Sequence, residues 1–465
     1  MLQETTGPAV STTPGVSFLG IGTGLAGYTD CCWPPDTNAS AGTTQVVEIV
    51  NLSLAVFDKS SGAVMAGPTD LTNLFSGVDT SCSTAFNISD PTVAFDRHVG
   101  RWVIDFITVS SPFKFCMAVS TSGDATGTYN AYAFTDSHGL PDYPKLGVWP
   151  DAYYLSARQF NASGTAYFGP VACAADRVAM VTGATATLQC IQINNGSVDG
   201  MLPATLDGAT NPPSGSPEYY LLIPLPDSGA SNMLELFQFH YVRAGGSTLT
   251  GPANIAVAGY QEAGSFGGFV PQLGVSTKLD GLGFSLMYRL AYRNFGGSSP
   301  HESLLATQNV SVGSGSSLRY APRWYEIRSP GTAPVVYQQG TYSPDATYRW
   351  TGSIAMDRFG DIALGYSVSS SSINPGIAYT GRKPGNPLGK MQVENTILSG
   401  SGSQTGPAFD QPYRWGDYSS MAVDPTDDCT FWYANEFLMS NGLGNWSTYI
   451  ASFRFPRCNP AAASQ

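Results

Sequence analysis

Apolar residues along this chain fall into short alternating or continuous runs bounded by Gly, Pro, Asp or Ser, and the 3.6-residue spacing of an amphipathic helix is almost absent. Val46 to Phe57, Trp102 to Val109, Ile255 to Tyr260, Phe284 to Tyr292 and Ile362 to Val368 are representative. Such runs predict strands joined by tight turns. A short helix is predicted only near Asp176 to Val181. The fold class is all-β.

A degenerate repeat runs through the pattern: an apolar strand ends in Asp, a turn follows, and a second apolar or aromatic strand begins. It reads Val93-Ala94-Phe95-Asp96 before Trp102-Val103-Ile104, Ile354-Ala355-Met356-Asp357 before Ile362-Ala363-Leu364, and Met421-Ala422-Val423-Asp424 before Cys429-Thr430-Phe431-Trp432, with looser copies at Asp151 and Asp58. A carboxylate at that place can accept backbone N–H groups a few residues on and close the hairpin. The intervals from Asp96 to Asp151 and from Asp357 to Asp424 are each the size of one four-stranded blade, so the 465 residues predict a single β-propeller of seven blades, or eight. Residues 1–40 are expected as an N-terminal extension packed on a propeller of residues 41–465. Gly/Ser/Pro-rich stretches at Asn211 to Pro217, Gly313 to Ser317 and Ser399 to Gly406 read as inter-strand loops, because strand patterning resumes after each.

These turns resemble relaxed versions of the Asp-box hairpins of sialidase-like propellers, and the chain as a whole is similar to a family of exported bacterial propeller proteins. The resemblance is carried by Pro35-Asp36-Thr37-Asn38, by Asp142 to Asp151, by Tyr348 to Asp357 and by Arg414-Trp415-Gly416-Asp417-Tyr418-Ser419. A strict Asp-box begins Ser-x-Asp-x-Gly, whereas the turn at Asp357 has Ala355 in the Ser position and Gly360 one residue late. Sialidase-like propellers use an arginine cluster for a sugar carboxylate, so the resemblance implies a glycan-binding funnel.

Composition narrows the partners. Charged residues are only 12% of the chain, against about 25% in an average domain, while aromatics also reach 12% and Gly numbers 52. With a formal charge of −12 and no run of Lys or Arg, nucleic acid is excluded as the expected partner. No apolar stretch approaches the length of a membrane-spanning helix. The opening Met1 to Thr6 has neither a basic n-region nor an apolar h-region, and it reads as the start of a mature chain with an added initiator Met. Eight cysteines, none in C-x-x-C spacing, predict a disulfide-stapled exported protein, secreted or periplasmic. Local loop sizes favour Cys82 with Cys116, Cys173 with Cys190 and Cys429 with Cys458; the partners of Cys31 and Cys32 are left open.

Several motifs are decoys. Gly22-Thr23-Gly24-Leu25-Ala26-Gly27 is a literal G-x-G-x-x-G, but Tyr28 to Pro35 cannot form the helix that a dinucleotide site requires. HExxH, a G-x-S-x-G elbow and paired histidines are all missing, so no metal centre and no cofactor is expected, and a peptidase or oxidoreductase lacks its motifs. The acidic turn Asp424 to Asp428 offers oxygen ligands for a structural Ca²⁺, and hairpin closure explains it equally well.

The suggestive constellation is Arg-Trp, found at Arg101, Arg323, Arg349 and Arg414, so that four of the eight tryptophans follow an arginine. On a strand, neighbours point to opposite faces, so each Trp can pack adjacent sheets while its Arg pairs with a carboxylate. The functional alternative brings Arg323, Arg349, Arg382 and Arg414 together in a funnel, where guanidinium groups bind a sugar carboxylate or sulfate and Trp350 and Trp415 stack on pyranose rings. Carboxyl candidates for acid–base work are Asp36, Asp142, Glu302, Glu326, Asp417 and Glu436; Asp417 is favoured because Arg414, Trp415 and Tyr418 crowd it. The expected catalytic set is Asp417, Glu326, His301 and Tyr418. The expected function is an exported glycoside hydrolase or polysaccharide lyase acting on an anionic polysaccharide or oligosaccharide, with a non-catalytic glycan- or protein-binding propeller as the alternative.

Overall fold

The structure, a computed structural model, describes residues 1–29, 32–297, 299–406 and 413–458. It is all-β. Five four-stranded sheets accompany one nine-stranded sheet, and the single described α-helix, Arg177–Thr182, lies where the sequence predicts one. That helix is capped at its start by the Asp176 carboxylate, which accepts the Ala179 N–H, and at its end by Gly183 in the left-handed region (φ 73°).

In chain order we call the sheets I to VII. Sheet I runs Asn38–Ala41, Gln45–Val50, Ser53–Asp58 and Val64–Asp70; sheets II and III repeat the same antiparallel order from Ile88–Asp96 and from Leu140–Val148. The nine-stranded sheet divides into IV, beginning with Leu202–Asp207, and V, beginning with Leu286–Phe295, because those two first strands pair in parallel. Leu2–Gln3 adds a parallel strand to the outer edge of V. Sheet VI begins with Tyr348–Met356 and sheet VII with Ser420–Val423.

The first strand of each sheet touches the first strand of the next, and that of VII touches that of I, so the seven first strands form a closed ring. The chain's two ends also meet: Thr13–Gly22 is the fourth strand of sheet VII, hydrogen-bonded along Trp446–Arg454. The first forty residues, expected as a packed extension, thus contribute an integral outer strand and the start of sheet I.

Most of the repeating Asp turns occupy one equivalent place. Asp96 ends the first strand of its sheet, and Asp151, Asp357 and Asp424 lie between the first and second strands of theirs, whereas Asp58 closes a later hairpin of sheet I. Asp357 Oδ1 accepts the N–H groups of Phe359 (2.8 Å) and Asp361 (2.9 Å). Others also join sheets: Asp96 receives Arg177 and the Tyr153 hydroxyl from sheet III, and Asp424 receives Lys59 from sheet I at 3.0 Å. In the acidic turn, Asp424 and Asp427 accept backbone N–H groups and Asp428 pairs with Arg97 and Arg293, so hairpin closure and ion pairing engage these carboxylates. Asp427 lies beside Cys429 and Cys458, but those two sulfurs are bonded to each other.

All three expected disulfides are present, Cys82–Cys116, Cys173–Cys190 and Cys429–Cys458; Cys31 lies outside the described residues. Between sheets the core is aromatic, with Trp102, Trp149, Trp324, Trp350 and Trp446 fully buried. Sheets VI and VII meet closely at Gly365, where a Cβ would stand 2.5–2.6 Å from three ring carbons of Tyr433 in sheet VII. Tyr433 is itself fixed, donating to Ser419 Oγ and accepting from Asn435, both at 2.9 Å. Gly365→Ala is therefore expected to overpack the VI–VII interface and cost about 1–3 kcal/mol, read from urea unfolding; an unchanged midpoint would contradict this packing.

Candidate functional site

Near its start, each of several first strands carries an irregularity. Pairing with the second strand slips between Ser89 and Thr92, between Asp142 and Lys145, between Met287 and Ala291, and between Trp350 and Ser353. Asp90, Tyr143 and Thr351 occupy the left-handed region there, as does Asp36 just before the first strand of sheet I. A bulge of this kind re-aims side chains at a sheet edge. Asp90 and Asp142 sit at these slips, and Asp36 and Asp417, just before the first strands of sheets I and VII, join them.

The carboxylates brace neighbouring sheets. Asp36 accepts the Asp417 N–H at 2.8 Å and the Asn51 side-chain amide at 2.7 Å, and Asp90 accepts the Tyr143 N–H at 3.0 Å. Glu436 accepts the Gly416 N–H. Three cations sit among these acids. Arg414 pairs with Asp417 (2.6 Å), and Arg158 with Asp199 (2.8 Å) and more distantly Asp142 (3.8 Å). Lys145 lies over the rings of Tyr143 and Tyr418, 3.3 and 4.3 Å from their centroids, and donates to the Pro144 carbonyl. Below the acids, Tyr143, Tyr288 and Tyr418 form a buried aromatic plug.

Burial governs the titration of this cluster. It raises Asp36 well above the ordinary carboxylate range, reinforced by the charges of Asp417 and Asp90. Asp417 is raised by burial against the opposing pull of Arg414. Burial and the Asp90 charge raise Asp142 to about 6, and burial lowers Lys145 to about 8. Access separates the acids: the Asp142 side chain is 48% exposed and that of Asp417 13%, whereas Asp36 is 2% exposed. Asp142 is the open carboxyl of the group.

Of the sequence-derived carboxyl candidates, Asp36, Asp142, Asp417 and Glu436 converge here with Arg414 and Tyr418. Glu302 and Glu326 do not. Glu302 accepts the Tyr292 hydroxyl, and Glu326 is buried among Ser303, Arg328 and Gln338. The expected arginine funnel does not assemble. Arg349 is held by Asp345 and Glu394, Arg323 by Thr341 and the Ala258 carbonyl, and Arg382 by the carbonyls of Lys390, Asn386 and Pro387. Trp350 and Trp415 pack on each other, 0% and 3% exposed, so neither offers a face to a sugar. Tyr418 is equally buried and its hydroxyl donates to the Pro91 carbonyl, which leaves it no free proton-transfer atom. His301, Glu326 and Arg382 line a separate cavity between sheets V and VI.

Sequence reasoning missed Asp90, Tyr143, Lys145 and Arg158 as site members. A signal was present. Pro35-Asp36-Thr37-Asn38, Ser89-Asp90-Pro91-Thr92, Pro141-Asp142-Tyr143-Pro144 and Gly416-Asp417-Tyr418-Ser419 form a second Asp repeat, at the start of the inner strands rather than at their ends.

The raised acids make stability depend on pH. Burial lifts Glu48, Asp105 and Asp357 to about 7 and Glu436 to about 8. An unfolded chain releases these protons near pH 4, so between pH 4 and 8 the native state binds more protons and stability falls as pH rises. Glu436→Gln keeps an acceptor for Gly416 and removes one such proton. Urea midpoints at pH 5 and pH 8 are expected to differ less in the variant than in the wild type; an equal difference would remove Glu436 from this account.

No family model matches the chain, and no curated protein matches it. Among solved structures it is similar to a DUF4623 family protein from Bacteroides eggerthii, at 7% identity over 97% of this chain and 77% of that one, with a TM-score of 0.38. A phage phi92 endosialidase aligns at 7% identity over 77% of this chain and 65% of its own, TM-score 0.42. A Trypanosoma rangeli sialidase in complex with sialic acid aligns at 11% identity over 80% and 54%, TM-score 0.37.

Proposed function

We propose that the chain is a single seven-bladed β-propeller that acts on glycans, with its site at the mouth where the inner strands begin. The closed ring of seven first strands and the shared last sheet support the architecture. One observation carries the function: Asp142, its side chain half open to solvent, shares the mouth with the less exposed Asp417, with Arg158 and Arg414 beside them and the Asp90 charge helping to raise Asp142. Glycoside cleavage uses such a pair, one carboxyl protonated to serve the leaving oxygen and the other ionised across the bond. Asp142 takes the first role and Asp417, paired with Arg414, the second. Three disulfides suit an oxidising compartment, consistent with an exported enzyme.

The mouth favours a different substrate charge from the one expected of an arginine funnel. Its guanidinium groups, Arg158 and Arg414, already carry carboxylate partners, and four aspartates surround them. A neutral or amino-substituted sugar fits that field better than a uronate or sialate. A second reading, binding without cleavage, is favoured by the tie of Asp417 to Arg414 at 2.6 Å, which restricts its approach to a substrate.

Incubation with neutral, amino-sugar and uronate-containing oligosaccharides, with product analysis, tests both readings. Cleavage of a neutral or amino sugar is expected, with Asp142→Asn and Asp417→Asn each lowering kcat roughly 10²–10⁴-fold. Because Asp142 acts when protonated, the rate should fall as pH rises through about 6. Binding without cleavage selects the second reading; cleavage undiminished in Asp142→Asn sinks the assignment of the acid.

A further inference from the structure

The cavity between sheets V and VI, about 170 Å³, gathers positive charge in a chain whose net charge is −12. Arg328, Arg358 and Arg382 line it together with His301, and the acid in its wall is Glu326. Glu326 is already engaged, accepting from Arg328 at 2.8 Å, from Gln338 at 2.5 Å and from Ser303 at 3.0 Å. The other nearby acids are spent as well: Asp361 pairs with Arg457 at 3.0 Å, and Asp357 accepts the backbone of its own turn.

Arg358 and Arg382 are left without a carboxylate partner among the described residues. Arg382 is 1% exposed; its guanidinium donates to main-chain carbonyls and lies over the Trp324 ring, with Glu326 and Asp361 acting on it only as charges at a distance. The Nε of Arg358 is buried with no hydrogen-bond partner, and its guanidinium carbon lies 4.8 Å from the centroid of the Phe359 ring. A buried cation without a counter-charge is costly unless something supplies one. The remaining walls are aromatic: Phe295 stacks on His301 at 4.7 Å, and Tyr337 lies under Arg328 at 3.3 Å. With His301 Nδ1 engaged by the Ser299 carbonyl, the opposite ring nitrogen is the one left for a ligand.

We propose that this cavity binds a small carboxylate carried on a ring-sized body, the anion meeting Arg358 and Arg382 and the ring lying against Phe295 and Phe359. Guanidinium forks match a carboxylate's two oxygens, and the volume falls below the roughly 300–1,000 Å³ of sites for drug-sized ligands, which limits the occupant to about one ring. The site stands apart from the aspartate mouth and does not rest on the glycan-cleaving reading.

Titration calorimetry with benzoate and glucuronate, against benzyl alcohol and glucose as uncharged counterparts, tests the proposal. At least one carboxylate should bind while its neutral counterpart does not, and Arg358→Ala should weaken that binding roughly tenfold or more, the loss of one charge-assisted hydrogen bond. Should that variant fail to fold, phenylglyoxal labelling of the wild type read by peptide mass spectrometry replaces it, with the bound carboxylate expected to protect Arg358. Absence of carboxylate binding, equal binding of the neutral compounds, unweakened binding by a folded Arg358→Ala, or unprotected labelling of Arg358 each overturns the proposal. Because Asp142→Asn leaves this cavity untouched, that variant should bind the carboxylate like the wild type even if no glycan is ever cleaved.

Discussion

A strand at the inner edge of a sheet has a hydrogen-bonding partner on one side only, and among the described residues most such edges in this ring touch without forming a ladder. Buried N–H and C=O groups on those edges must still be satisfied. Among the described residues, only sheets IV and V solve the problem by direct pairing, Ala204–Asp207 against Leu290–Arg293. Elsewhere short polar side chains do it. Asn38 and Ser40 accept the N–H groups of Val93 and Phe95, Ser353 accepts that of Met421, and Ser419 and Ser420 donate to the carbonyls of Thr351 and Ala39. Each of these bonds joins one sheet to the next, so the ring is sewn at its centre by side chains while its outer regions are held by apolar packing.

The aspartate cluster follows from the same constraint. Asp36 and Asp90 accept backbone N–H groups from neighbouring sheets, where a carboxylate makes the stronger, charge-assisted acceptor. Concentrating acids at one end of the ring has an electrostatic cost, met by Arg158, Arg414 and the ring-covered Lys145, and it shows in the raised proton affinity of the deeply buried Asp36. Asp142 is the member that this arrangement leaves half open. Its neighbours are fixed by structural duties, which leaves its own carboxyl partly free in a pre-organised field.

The fold was largely legible because its signals are local. Alternating runs, the Asp turns at Asp96, Asp357 and Asp424, the helix cap at Asp176 and the three disulfides all depend on residues close in sequence. The site was legible only in part. Asp36, Asp142, Asp417 and Glu436 stand out in sequence because no Asp-turn repeat claims them, but nothing in one dimension shows that Arg158 reaches between Asp142 and Asp199. The Arg-Trp pairs misled for a physical reason. Trp350 is the packing member of its pair, and Arg349 points the other way into Glu394, as strand alternation requires.

The two ends of the ring differ, and the difference bears on how anything reaches the aspartates. Where the inner strands end, Arg289 pairs with Asp207, and Arg97 and Arg293 pair with Asp428, so the charges there neutralise one another. The cavity on that side, lined by Ser40, Phe95, Asp207 and Arg289, measures only about 40 Å³, room for a water or two. Between the ends stand Tyr143, Tyr288 and Tyr418, all nearly inaccessible. The centre is thus a packed plug rather than a pore. A ligand meeting Asp142 must arrive from the bulged starts of the strands, and the tyrosine floor prevents it from threading further. Under the proposed function, such a floor makes the mouth a dead end, so a glycan would enter it by an end rather than be drawn through the ring.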